Sequence, residues 1–228
     1  MRPAGYAGTV LFLTAFVFRV DGADSLESVL GRIDRGGESL KTLSAGVKRT
    51  SHTAAINEDN VDSGSMMLKR SKRDVKVVVD LTHPDAKSVA LDGKKVEVYY
   101  PKIKTVQEFD VGKNRGLVDQ FLLLGFGTNG KELASSYDMK FLGEETVEGQ
   151  KTAHLELVPK SPQVQQYLKR AELWIPENSS YPAQQKLYLA GGDYMLVTYS
   201  NMKVNPTLSD SDLKLKLPKG VKREYPQK

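Results

Sequence analysis

A chain of 228 residues, 39% hydrophobic and 27% charged, is long enough for one substantial core and too balanced for either an unfolded chain or a membrane-embedded body. Its formal net charge of +5 is spread along strand-like segments beside acidic neighbours, which argues against nucleic-acid binding. With no cysteine, the chain has neither a disulfide staple nor the acylated N-terminal Cys of a bacterial lipoprotein.

Residues 1–22 read as a signal peptide: Arg2 gives a positive start, Thr9 to Phe18 an apolar run, and Val20-Asp21-Gly22 a cleavage site. The run is too short to span a bilayer as a mature helix; a short uncleaved anchor is the alternative, because Arg19 sits beside the cleavage site. Residues 23–228 are then expected to form a single exported, periplasmic domain and to work as a monomer. Asp24 offers an N-cap, and Leu26, Val29, Leu30 and Ile33 follow at helical spacing with Gly36-Gly37 as a stop, which predicts one amphipathic helix.

Beyond that helix the period changes to two. Leu43 to Thr50 and Ser65 to Arg70 alternate on either side of the polar stretch Asn57 to Ser63. In Arg73 to Leu81, Val75, Val77, Val79 and Leu81 share one face. Asp92-Gly93 marks a hairpin between Ser88 to Leu91 and Val96 to Tyr100, and Thr105 to Phe109 continues the meander. Leu117 to Phe126 is then apolar almost throughout, and Gly125, Gly127 and Gly130 follow as a hinge. Lys131 to Tyr137 adds a helical turn, and Ser161-Pro162 caps another over Gln163 to Tyr167. Strands are expected again at Phe141 to Val147, Thr152 to Val158, Arg170 to Ile175, Gln184 to Leu189 and Tyr194 to Ser200. The total comes to about ten or eleven strands, mostly antiparallel, with two or three helices.

Groups that could do chemistry are sparse. His52, His83 and His154 are far apart with no metal-binding spacing, so no metal or cofactor is expected. There is no GxSxG nucleophile elbow. Gly125 to Gly130 formally matches GxGxxG, but it follows a helix-like run rather than a strand. Glu144-Glu145 point to opposite faces of a strand and cannot grip one bond together. An enzyme is therefore not expected. What remains is Leu117 to Phe126, which is either a plain core helix or a removable lid, since a helix apolar on two sides can face both a sheet and a ligand.

Four segments in order resemble the LolA lipoprotein-carrier family. They are Gly64-Ser65-Met66-Met67-Leu68-Lys69-Arg70, Leu91-Asp92-Gly93-Lys94-Lys95-Val96-Glu97-Val98-Tyr99-Tyr100-Pro101, Leu157-Val158-Pro159-Lys160, and Leu213-Lys214-Leu215-Lys216-Leu217-Pro218-Lys219-Gly220-Val221. The resemblance implies a mainly β, incomplete antiparallel barrel whose mouth short helices cover, with an apolar cleft for the acyl chains of a lipoprotein or another lipid. It implies a carrier between inner and outer membranes, served by an inner-membrane releasing complex and an outer-membrane acceptor. The cleft and its lid would be Met66, Leu68, Val77, Val79, Val98, Leu117, Phe121, Leu122, Leu124 and Phe126, with Arg70 as the inward-pointing residue that latches the lid. The chain departs from the family pattern at Ser71, where Pro is usual, and at Val47-Lys48-Arg49, where Phe-Thr-Gln is usual. The alternative that the resemblance allows is a periplasmic sensing domain of the same fold.

Overall fold

The computed structural model describes residues 24–71, 74–114, 116, 118 and 124–226. The expected signal peptide and the lid positions Leu117, Phe121 and Leu122 lie outside the described residues.

Helix α1 spans Leu26–Ser39. Its N-cap is Ser25 rather than Asp24: the Ser25 hydroxyl accepts from the Ser28 amide, and the Ser28 hydroxyl accepts from the Ser25 amide. Asp24 instead holds Arg32 with both carboxylate oxygens, at 2.6 and 2.8 Å. Gly36-Gly37 does not stop the helix but lies inside it. A side-chain carbon at Gly36 would stand 2.5 Å from Ser180 Cβ, and one at Gly37 would stand 3.0 Å from the Thr128 carbonyl oxygen. The pair marks a close approach, which is the other reason a helix carries glycine.

From the centre of the sheet one meander runs outward through β1 (Thr42–Thr53), β2 (Glu58–Arg70), β3 (Val75–His83), β4 (Lys87–Asp92), β5 (Lys95–Tyr100) and β6 (Thr105–Asp110). The chain then crosses to the opposite edge through residues 111–136, which include α2 (Gly130–Ser136). A second meander returns inward through β7 (Tyr137–Val147), β8 (Gln150–Pro159), the single-turn α3 (Pro162–Gln165), β9 (Leu168–Pro176), β10 (Gln184–Leu189) and β11 (Tyr194–Val204). Strand β11 pairs with β1, and a short β12 (Lys222–Glu224) adds to β6 in parallel. The sheet of 12 strands is therefore open, with β12 and β7 at its edges; every pairing except β12 with β6 is antiparallel.

The count exceeds expectation by β12, whose three residues are too few to show a period. Of the polar stretch Asn57 to Ser63, expected to separate two strands, Glu58 to Ser63 belongs to β2, where it pairs with Lys48 to Thr53. The β4–β5 turn is centred on Gly93-Lys94, since Asp92 pairs with Lys95 and Gly93 takes φ 60°.

Helix α1, Leu124, Phe126 and α2 lie over one face of the sheet, called here the inner face. Two apolar clusters fill the space. One joins Val29 and Ile33 of α1 to Leu133 of α2 and to Leu155, Leu157, Leu173 and Leu187 of the second meander. The other joins Leu40 to Leu43, Val47, Met66, Leu68, Val77 and Leu91 of the first. On the outer face Leu213 is buried against Val78 and Ala90, so the C-terminal segment straps the back of the first meander.

Candidate binding site

Strand alternation aims Met66, Leu68 and Arg70 of β2 inward, and the registers extend these positions into rows across the sheet. Leu43, Leu68, Val77, Leu91 and Val96 form one row; Ala45, Met66, Val79, Val89 and Val98 form the next. Both are wholly apolar, but they differ in cover. Leu43, Leu68, Val77 and Leu91 are 3% exposed or less, whereas Val79, Val89 and Val98 are only half-buried. Of the expected cleft residues, Met66, Leu68 and Val77 are thus part of the packed core, while Val79 and Val98 line its open continuation. Val89, Leu91 and Val96 join them without having been expected there. The two-residue turn after Asp92 contains their signal, since it sets Val89 opposite Val98 and Leu91 opposite Val96.

The crossover enters this face as a wedge. Leu124 and Phe126 are each 1% exposed, and they pack into different clusters: Leu124 with the second meander and α1, Phe126 with the first. The Phe126 ring lies parallel to Tyr181 at 6.2 Å and edge-on to Tyr199 at 5.0 Å. One residue pair therefore fastens the two halves of the inner face together.

Polar clasps hold the wedge on either side. Arg70 Nη1 donates to the Gly37 carbonyl of α1 at 2.9 Å and to the Gly127 carbonyl of the crossover, joining β2, α1 and the wedge through one guanidinium. Buried Gln185 donates to the Leu124 carbonyl and accepts from the Tyr199 hydroxyl at 2.6 Å. Burial pushes the Tyr199 phenol above its ordinary range, so it stays a donor. Tyr181 donates to the Gly36 carbonyl at 2.9 Å. Gly125 and Gly127 take φ of 79° and 82°, and a side-chain carbon would stand 2.9 Å from Pro182 Cγ at the first and 2.6 Å from Arg70 Nη1 at the second. Both glycines are tightly backed here. Their left-handed backbone admits other residues only at a cost, and their neighbours leave no room for one. Gln185, Tyr181 and Tyr199 carry no sequence signal, because each looks like an ordinary strand or turn residue until the crossover is laid over it.

Elsewhere, charged and polar side chains are grouped in local clusters, although the buried Nε of Arg32 and Nε2 of His154 have no hydrogen-bond partner among the described residues. On the outer face His154 stacks on Trp174 at 4.3 Å, and its Nδ1 lies 2.8 Å from Glu145, which also accepts from the Trp174 indole at 2.8 Å. Ser135 and Ser136 lie within α2. Asp24, Glu144 and Glu177 approach one another closely enough to ligate an ion, yet Lys151 reaches Glu144 at 3.0 Å and Glu177 at 2.6 Å while Arg32 holds Asp24. These side chains already supply the counter-charge. Among the described residues no helix is long and apolar enough to cross a membrane.

Residues 38–216 match the family model described as outer membrane lipoprotein carrier protein LolA, a span that holds the apolar rows, Arg70 and the crossover. The chain belongs to the LolA family. Among curated proteins none matches the sequence. Among solved structures, an uncharacterized conserved protein from Thermus thermophilus is 14% identical, with a TM-score of 0.54 over 89% of this chain and 99% of that one. MucB is 14% identical, with a TM-score of 0.51 over 83% of this chain and 62% of its own. The lipoprotein LppX of Mycobacterium tuberculosis is also 14% identical, with a TM-score of 0.48 over 81% of this chain and 99% of that one. At such identities the first two likenesses speak to the fold: an open LolA-like sheet.

Proposed function

We propose that this LolA-family chain is a periplasmic carrier that takes the acyl chains of a lipoprotein, or of another lipid, onto its inner face and shuttles them from the inner to the outer membrane. The observation that carries the reading is the wedge of Leu124 and Phe126, clasped through main-chain carbonyls by Arg70 and Gln185 beside an apolar row that is left half-open. Burial of Phe126 by side chains that a lipid tail could replace gives the site its closed state. The polar clasps give it something to release.

The physical need is large. A chain of about fourteen methylenes in water costs on the order of 11 kcal/mol at about 0.8 kcal/mol for each, so a carrier must cover it reversibly. In this reading Arg70 is the latch, and Val79 and Val98 meet the incoming chain first. Leu68, Val77 and Met66 become its floor once Phe126 moves. The chain works as a monomer without cofactor or catalysis. Release and delivery fall to an inner-membrane complex and an outer-membrane acceptor.

The test is to secrete the chain into a bacterial periplasm, load it with a purified acylated lipoprotein, and analyse the bound material by mass spectrometry. Co-purification of one acylated species per chain is expected. Recovery of bare protein under loading conditions would sink the reading.

A further inference from the structure

We infer that the polar end of the inner face is a headgroup site for an amphiphile carrying one negative charge; the inference rests on the carrier reading and names the ligand class it takes. The apolar rows do not run the whole length of the sheet. Two residues beyond Val47 on β1 comes Arg49, two beyond Val89 on β4 comes Lys87, and two beyond Val98 on β5 comes Tyr100, all on the inner face by alternation. These residues line a hollow of about 540 Å³, with Asp62, Asp85 and Lys102 contributing from β2 and from the loops at this end. A volume of this size suits a small polar group rather than a side chain alone.

The charges in the hollow are unequal. Arg49 is committed to Asp62, with Nε 3.1 Å from the carboxylate, and Lys102 is committed to Asp85. Lys87 is half-buried and, among the described residues, has no carboxylate at ion-pair distance, which leaves the hollow one positive charge in excess. Desolvation strengthens an attraction to an anion at such a site. Lys87 also stands about 7 Å along its strand from Val89, the rise of two extended residues, so a headgroup on Lys87 and Tyr100 would start its acyl chain on the half-open row Val79, Val89 and Val98. A phosphodiester and a fatty-acid carboxylate share the required chemistry.

The experiment measures displacement of a neutral fluorescent alkyl probe from the full chain by dioleoylglycerol, dioleoyl phosphatidylglycerol and oleate, each below its aggregation threshold, in low and high salt. The anionic competitors are expected to bind about tenfold tighter than the neutral one at low salt, a preference worth ~1.4 kcal/mol. Lys87→Gln should abolish that preference while leaving dioleoylglycerol binding unchanged, and Lys87→Arg should keep it. Preference for phosphatidylglycerol alone assigns the site to a phosphodiester; preference for both anionic competitors assigns it to the single charge. Equal binding of neutral and anionic lipids, or a preference that survives Lys87→Gln, overturns the headgroup site and leaves the carrier standing. Failure of every lipid to displace the probe overturns both.

Discussion

Arg70 lies so close to Gly127 that a side-chain carbon on the glycine would stand 2.6 Å from the guanidinium nitrogen that bonds its own carbonyl. The clasp therefore needs a glycine as much as it needs an arginine. Gly127→Ala, which must also tolerate φ of 82°, is expected to expel Arg70 and to cost about 1–3 kcal/mol. Thermal unfolding together with hydrogen exchange at the crossover checks it. Stability equal to the parent with protected amides at residues 124–127 would count against the clasp.

Arg70 itself can be replaced in two ways. Arg70→Leu keeps the bulk but strands the Gly37 and Gly127 carbonyls, and should speed exchange of a bound acyl probe about tenfold, ~1.4 kcal/mol off the barrier to opening. Arg70→Lys can serve one carbonyl better than two and should fall between. Stopped-flow release of a preloaded fluorescent lipid reads both. Release rates unchanged in the leucine variant would end the latch assignment.

Phe126 is the second half of the wedge. Phe126→Ala opens a void beside Tyr181 and Tyr199 and should lower unfolding free energy by about 3–5 kcal/mol in the empty protein. If a lipid tail occupies that space, saturating ligand should recover a larger fraction of the loss in the variant than it adds to the parent. Denaturant titrations with and without lipid make the comparison.

Gly36 packs α1 onto the turn at Ser180. Gly36→Ala should overpack that contact and cost about 1–3 kcal/mol, whereas alanine at half-buried Gly31, where Arg35 Nη1 at 3.8 Å is the near neighbour, should be neutral or mildly stabilising. Parallel melting curves of the two variants separate close packing from helix propensity.

The dependence of stability on pH should fall off on both sides. The hydrogen bond from Arg32 holds the Asp24 carboxyl below its ordinary 3.8, and that from the Trp174 indole holds Glu145 below its ordinary 4.5. A depressed folded value stabilises above the unfolded one, so these contributions are lost as pH drops below about 4. Burial pushes Tyr137 up to about 12. A raised value works the other way: its contribution is whole below 10 and is lost as pH rises from there toward 12. Tyr137→Phe should flatten part of the alkaline limb, as chemical denaturation across pH would show, and Asp24→Asn should flatten part of the acid one.

Much of the fold was legible because alternation survives wherever one face is buried. Val75, Val77, Val79 and Leu81 declare an inner face without reference to any partner strand. The hairpin at Gly93 was legible too, but its register was not: the turn sits on Gly93-Lys94, one residue beyond the expected Asp92-Gly93. Illegible were the features set by partners distant in sequence. Gly36-Gly37 looks like a helix stop until Ser180, some 144 positions away, is packed against it. Polar Glu58 to Ser63 looks like a loop because it is mostly exposed and has no apolar alternation; only its pairing with Lys48 to Thr53 makes it a strand. Leu124 and Phe126 stand out in the sequence by their apolar setting, and Arg70 by resemblance to the LolA family. Their clasping partners Gln185, Tyr181 and Tyr199 become visible only with the crossover in place.

The two ends of the open sheet are treated differently, and this bears on how such a protein avoids its own kind. An unpaired strand offers a row of N–H and C=O groups as a template for another chain. At one end β12 lies along β6 for three residues, and Arg223 reaches across to Glu97 and Glu108. At the other, β7 carries a register irregularity between Phe141 and Gly143 and a run of charge in Lys140, Glu144 and Glu145. A short capping strand and a kinked, charged border both discourage sheet-to-sheet growth, so the sheet can stay open without exposing an adhesive seam to its neighbours.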